Sequence, residues 1–150
     1  MSSQQAGSRR LLVEADGGSR GNPGVAAGGA IVVDVESGEL LAELGVWCGV
    51  ATNNVAEYSG MIAGVTRALE IDPKAELHIR MDSKLVVEQM SGRWKIKHPD
   101  MADLAASARE LLSGTTVTFE WIARLENSRA DKLANESMDK KASFARPPVA

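Results

Sequence analysis

Four acidic residues stand in contexts that could carry chemistry. Asp16 opens the run Asp16-Gly17-Gly18-Ser19-Arg20-Gly21-Asn22-Pro23-Gly24, and Glu57 closes Thr52-Asn53-Asn54-Val55-Ala56-Glu57. Asp82 lies in Met81-Asp82-Ser83, and Asp131 in Asn127-Ser128-Arg129-Ala130-Asp131-Lys132-Leu133-Ala134. Carboxylates gathered by a fold repel one another, and each raises the pKa of its neighbours unless cations balance them. Each acid also has an ordinary role open to it. Asn54 with Glu57, and Ser128 with Asp131, fit the spacing of a capping box. Asp82 could cap a helix and Asp16 could belong to a turn. What separates these roles is whether the fold makes the four converge.

The positioning elements follow from periodicity and punctuation. Arg10 to Ala15 is an apolar run closed by Asp16-Gly17-Gly18, which predicts a buried strand ending in a turn. Gly28 to Val35 predicts a second strand, Glu36 to Glu39 a hairpin turn, and Leu40 to Cys48 a third strand. Val55, Tyr58, Ile62, Val65 and Leu69 recur at alternating steps of three and four, the pattern of an amphipathic helix stopped by Asp72-Pro73. Glu76 to Met81 predicts a fourth strand, then come a short helix to Met90, a helix from Pro99 to Leu112, a strand from Thr116 to Ile122 and a last helix from Asn127 to Lys140. A right-handed crossover from the three-strand meander lays strand four beside strand one. Asp16 and Asp82 would then end neighbouring strands at one edge.

The bulk numbers allow this. A chain of 150 residues, 44% hydrophobic and 25% charged, fits one domain that buries roughly 70% of the surface its unfolded chain exposes. The reading divides it into a disordered N-terminal tail (1–8), a domain (9–141) and a flexible tail or linker start (142–150). A lone cysteine, Cys48 in an apolar stretch, suits a buried thiol in a reducing compartment. Neither a membrane span nor a secretory leader is evident, so the default location is cytoplasmic and the expected state of the domain is monomeric. A formal charge of −3 does not advertise nucleic-acid binding, which usually accompanies a basic face. The segment Arg93-Trp94-Lys95-Ile96-Lys97-His98 nevertheless interleaves cations with an aromatic ring, as nucleic-acid grooves do. Trp94 suits either that surface or the core, while Trp47 and Trp121, inside strands, read as packing.

The motifs together resemble the type 1 ribonuclease H family. Asp-Gly-x-x-x-Gly-Asn-Pro-Gly, Thr-Asn-Asn-x-x-Glu, Asp-Ser after a strand and Asn-x-x-Ala-Asp-x-Leu-Ala occur in that family's order over about residues 10–140. The resemblance implies an α/β fold of the ribonuclease H type: a five-stranded mixed sheet, three-strand antiparallel meander plus two parallel strands, with helices on both faces. It also implies an endonuclease that cuts the RNA strand of RNA–DNA hybrids, leaving 5′-phosphate and 3′-hydroxyl ends. Hard carboxylate oxygens select Mg²⁺ or Mn²⁺, and two such ions can clamp an in-line displacement. By the resemblance Asp16 bridges the two ions, Asp131 completes the water-activating site, and Glu57 with Asp82 hold the second ion. Other readings remain: a nuclease of the same fold with another substrate, or a silent hybrid-binding module.

The same resemblance extends to the substrate groove. Gly17 and Gly18 would let backbone approach a ribose, and Asn22, Asn53 and Asn54 lie in motifs that face the hybrid, where amides suit the 2′-hydroxyl. Turn formation and helix capping compete for the same asparagines. Thr52 would donate to a DNA phosphate, and Lys84 stands where many relatives read the RNA strand with glutamine. Arg93, Trp94 and Lys95 would form a reduced basic protrusion. Many members carry a histidine shortly before the last aspartate. Here Ile122-Ala123-Arg124-Leu125-Glu126-Asn127 has none, and Arg124 resembles the arginine of the family's archaeal-like branch. Arginine can contact phosphate but stays charged and cannot shuttle protons. The proline-containing tail and the resemblance to actinobacterial ribonuclease H domains fused to an acid phosphatase favour an excised domain over a complete small enzyme, so a fused C-terminal catalytic domain is a further expectation.

Overall fold

The computed structural model describes residues 9–147. The expected tail 1–8 and the last residues, 148–150, lie outside the described residues. Strands β1 (Arg10–Gly21), β2 (Gly24–Asp34) and β3 (Leu40–Ala51) form the meander, and α1 (Asn53–Ile71) crosses over to β4 (Glu76–Met81). Then follow α2 (Lys84–Met90), α3 (Pro99–Leu111), β5 (Val117–Trp121), a short 3-10 turn (Arg124–Asn127), α4 (Ser128–Lys140) and β6 (Phe144–Arg146). The sheet order is β5-β4-β1-β2-β3-β6. β4 lies parallel to β1 with Ala15 opposite Met81, so Asp16, still within β1, and Asp82, one residue past the end of β4, stand at adjoining positions, as the crossover rule requires.

Alternation along β1 sorts the two faces. Leu11, Val13 and Ala15 join Ala30, Val32, Tyr58, Met61, Val65 and Ile79 in the larger core, under α1, α2 and α3. Ile31, Val33 and Leu133 form a smaller core under α4. Helices thus cover both faces. Among the described residues no helix is long and apolar enough to cross a membrane.

Three differences from the sequence reading have physical causes. Asp16-Gly17-Gly18 is not a turn: β1 and β2 stay paired to Gly21 opposite Gly24, and Asn22-Pro23 turn the chain. The glycines serve close approach instead, their other common use in strands. A Cβ on Gly17 would stand 2.2 Å from the Glu57 nitrogen, one on Gly28 2.5 Å from that of Gly60, and one on Gly29 2.4 Å from the Ala130 carbonyl oxygen. Second, the sheet has six strands rather than five. The stretch expected to begin a flexible tail contains β6, which pairs with β3 from Gly45 to Glu43. The Phe144 ring fills the space above Gly45. Arg146 lies 4.5 Å from the centre of that ring and bonds Glu136 at 2.8 Å and Glu43 at 3.1 Å. Third, Trp121 is no core residue. It ends the outer strand β5 and is 53% exposed, whereas Trp47 is partly buried on β3. Cys48 is half-buried rather than fully enclosed, and burial raises its thiol pKa, in line with an inert role.

Candidate active site

The capping alternatives resolve first. The α1 cap is Thr52, whose hydroxyl accepts from the Val55 N–H at 3.3 Å. Glu57 therefore lies beyond the first turn and closes no capping box. Ser83 caps α2, accepting from the Val86 N–H at 3.2 Å, so Asp82 does not. Ser128 is already inside α4, whose cap position is Asn127. All four acids are released from helix-capping duty.

They also converge electrostatically. Asp16 is 7% exposed, and its pKa is pushed up to about 8: burial raises it most, the Asp82 charge adds to this, and a hydrogen bond with the Asp131 carboxyl raises it further, against the Gly17 N–H. Glu57 is pushed up to about 7, chiefly by burial and also by Asp82, against a hydrogen bond from the Ser83 hydroxyl and the charge of Arg124. Asp82 sits between them, 3.8 Å from the Arg124 Nε. Among the described residues no three acidic, imidazole or thiol groups are already drawn into a coordination cage. Burial and neighbouring negative charge thus disfavour ionisation of Asp16 and Glu57, as happens to carboxylates where positive charge is short. An oxygen-only donor set with this deficit fits a hard divalent ion.

The site roles of two residues escaped the sequence reading. Asn127 is fully buried. Its Nδ2 donates to the Ala15 carbonyl at 2.8 Å and to Asp82 Oδ1 at 3.0 Å, tying the second carboxylate to the strand of the first. Its Oδ1 is buried without a hydrogen-bond partner. The only signal in the sequence was its place at the head of the last motif. Trp121 is the other: its indole Nε1 donates to the Asp82 carbonyl at 3.2 Å.

The remaining site candidates divide by position. The Asn22 Oδ1 accepts from the Asn53 N–H at 3.2 Å and the Asn53 Oδ1 from the Asn54 N–H at 3.0 Å. The β1–β2 turn is thereby tied to the start of α1, beside Thr52. The space that Gly17 was expected to open toward a ribose is filled by the backbone of Ala56 and Glu57, so this glycine seats α1. Gly18 is less crowded, and a Cβ there would stand 3.5 Å from Met138 Cε. Lys84 is exposed, its Nζ 5.9 Å from the centre of the Trp121 ring. Trp94 is 45% exposed, so it is not core. With Arg93, Lys95 and Arg109 it lines a cleft of about 600 Å³. Arg93, though, is held by Glu88 through two bonds of 2.6 and 2.9 Å, which spends part of the segment's positive charge internally. Arg124 is 89% exposed at the rim.

A family profile described as Reverse transcriptase-like matches residues 14–137. The Bifunctional protein Rv2228c of Mycobacterium tuberculosis is 50% identical over 137 residues, covering 91% of this chain and 37% of that protein. The chain thus spans little more than a third of the length of the mycobacterial relatives it matches. The solved N-terminal RNase H domain of Rv2228c superposes with a TM-score of 0.85 over 89% of this chain and 96% of that one. Ribonuclease HI of Halobacterium salinarum is 42% identical over 125 residues, covering 83% of this chain and 62% of that protein. LC11-RNase H1, isolated from compost by a metagenomic approach, was solved in complex with an RNA/DNA hybrid. It is 34% identical, with a TM-score of 0.82 over 87% of this chain and 98% of that one.

Proposed function

We propose that this chain, a ribonuclease H by family and a hydrolase by that membership, cuts the RNA strand of RNA–DNA hybrids internally at the four-carboxylate site. The proposal includes dependence on two divalent ions and products with 5′-phosphate and 3′-hydroxyl ends. The observation that carries it is the meeting of Asp16 and Asp82 on adjacent parallel strands with Glu57 from α1 and Asp131 from α4, none used as a cap. Asp16, Glu57, Asp82 and Asp131 would hold the ions. When bound, Mg²⁺ or Mn²⁺ supplies the Lewis acidity that an in-line phosphoryl displacement needs.

The chain's own residues do the rest. Asn127 and Ser83 fix the Asp82 and Glu57 carboxylates. Thr52 uses its hydroxyl oxygen as the α1 cap, which leaves its proton to donate to a phosphate. Asn22 spends its carbonyl on Asn53, and its amide N–H groups make no hydrogen bond among the described residues, so they suit a ribose hydroxyl. Lys84, Trp94 and Lys95 offer exposed contacts on the flank. The name of the mycobacterial relative and the share of it matched here support a further reading, that this domain works beside a second catalytic domain.

The test is cleavage of matched hybrid, RNA duplex and DNA duplex, each end-labelled, in Mg²⁺, in Mn²⁺ and in chelator. Metal-dependent cutting of the RNA strand of the hybrid is expected. Cutting in chelator, or equal cutting of DNA duplex, overturns the proposal.

Arg124 provides a narrower prediction. Its guanidinium stands at the rim beside Asp82, placed to meet a phosphate. Arg124→Ala is expected to lower turnover about ten- to a hundredfold, roughly 1.4–2.8 kcal/mol of barrier, and lysine to restore only part of it. Because the side chain is 89% exposed, melting temperature should hold. Equal slowing of single-turnover and steady-state rates would mark chemistry, and slowing of the steady state alone would mark product release.

A further inference from the structure

A second ionic layer lies directly beneath the carboxylates, offset by two residues on each element. Glu14 precedes Asp16 on β1, Arg80 precedes Asp82 on β4 and Arg129 precedes Asp131 on α4. In a strand, residues two apart share a face, so Glu14 and Arg80 face the α4 side as Asp16 and Asp82 do, and they are direct cross-strand partners. Glu14 is 3% exposed. Its two oxygens divide between the two cations: Arg80 Nη1 donates to Oε2 at 3.0 Å and Arg129 Nη2 to Oε1 at 3.3 Å. Arg80 Nε also lies 3.4 Å from Glu120, which meets His78 at 2.7 Å. The layer therefore spans β5, β4, β1 and the first turn of α4, the elements that supply three of the four acids or flank them.

We propose that Glu14, Arg80 and Arg129 form a positioning layer that sets the spacing of Asp16, Asp82 and Asp131 for divalent-metal binding. This rests on the function proposed above. Only Glu14 is buried, with Arg80 26% and Arg129 55% exposed. Pairing a buried carboxylate mainly offsets its desolvation and adds little net stability, and fixing geometry is the better-supported use of such pairs. Groups that orient metal ligands typically change metal affinity when removed. None of the three touches substrate in this account, and Arg129 acts by tethering the start of α4 to the sheet.

Electrostatics alone and positioning make opposite predictions for the two arginines, which gives the test its edge. If the layer acted only through its charge, Glu14→Gln would weaken metal binding by leaving two uncompensated cations, while Arg80→Gln and Arg129→Gln would strengthen it. If the layer positions the carboxylates, all three substitutions weaken binding. Mn²⁺ binding to the full chain without nucleic acid, followed by calorimetry, and the Mg²⁺ midpoint for hybrid cleavage are the readouts, with melting temperature recorded alongside. Glu14→Gln and Arg80→Gln are expected to weaken metal binding by about tenfold or more, with a smaller loss in the same direction for Arg129→Gln. Unchanged affinity in the variants, even with a lowered melting temperature, overturns the proposal, and so does tighter binding in either arginine variant. Should Glu14→Gln fail to fold, the two arginine variants decide. A wild-type chain that neither binds Mn²⁺ nor cleaves hybrid removes the functional reading and this one together. A normal wild type with unaltered variants removes this one alone.

Discussion

Asp82→Asn is expected to leave hybrid cleavage at a thousandth of the wild-type rate or below, a barrier increase of about 4 kcal/mol, with the fold and hybrid binding retained. The substitution changes charge and almost nothing else. Asp82 Oδ1 accepts from Asn127 Nδ2 at 3.0 Å, and the carbonyl oxygen of an asparagine at 82 can accept the same bond. The Trp121 indole bonds the backbone carbonyl at 82, which the substitution leaves in place. What disappears is one of the negative charges on which a divalent-ion site depends. Turnover near the wild-type level in saturating Mg²⁺ and Mn²⁺ would mean that Asp82 is not a ligand. Loss of hybrid binding as well would mean that it holds the fold.

Asp16→Asn should stabilise the metal-free protein at pH 8 while destroying activity. In the fold the Asp16 pKa is raised from 3.8 to about 8, first by burial and then by Asp82 and Asp131. Between those two values the folded chain holds a proton that the unfolded chain has released. Stability therefore declines as pH rises through this window and levels off above about pH 8. Glu57, raised from 4.5 to about 7 chiefly by burial, adds a slope of the same sign. At pH 8 the raised Asp16 pKa therefore costs the folded state on the order of 2–4 kcal/mol. Thermal melts in chelator should show wild-type stability falling from pH 4 to pH 8, and Asp16→Asn should flatten that fall and gain several degrees at pH 8. Mg²⁺ should restore the wild type at high pH and do little for the variant. A variant that melts lower than wild type at pH 8 would show that the Asp16 charge is already neutralised within the protein.

The acids were legible because their chemistry and order are distinctive, and their convergence because crossover handedness leaves one place for β4. Glycine is the letter that misled. In Asp16-Gly17-Gly18 it looks like a turn, yet a strand pressed by a helix demands the same residue, and only the position of Ala56 and Glu57 distinguishes the two. The α1 cap was ambiguous for a similar reason: Thr52, Asn53 and Asn54 can all cap, and the choice depends on where Asn22 docks. β6 has three residues, too few for periodicity, and its support comes from Gly45, Glu43 and Glu136, far away in the chain or on another element. Trp121 alternates like a core residue, but sequence does not mark β5 as the outermost strand on that side. Asn127 carries no pattern of its own. Its role exists only because Ala15 and Asp82 meet.

The contacts at Gly17, Gly28, Gly29 and Gly60 give the site a particular insulation. Elsewhere in the molecule elements meet through side chains, and a changed residue can be absorbed by neighbours shifting among rotamers. At these four points between β1, β2, α1 and α4 no such cushion exists, since main chain rests on main chain and a single methyl group at Gly17, Gly28, Gly29 or Gly60 would fall within 2.5 Å of it. The distances from Asp16 to Glu57 and to Asp131 are consequently set by peptide planes, which do not drift as the apolar interior is exchanged. A lineage can replace much of the core of this protein and keep its carboxylates in place, but it has almost no freedom to enlarge those four positions.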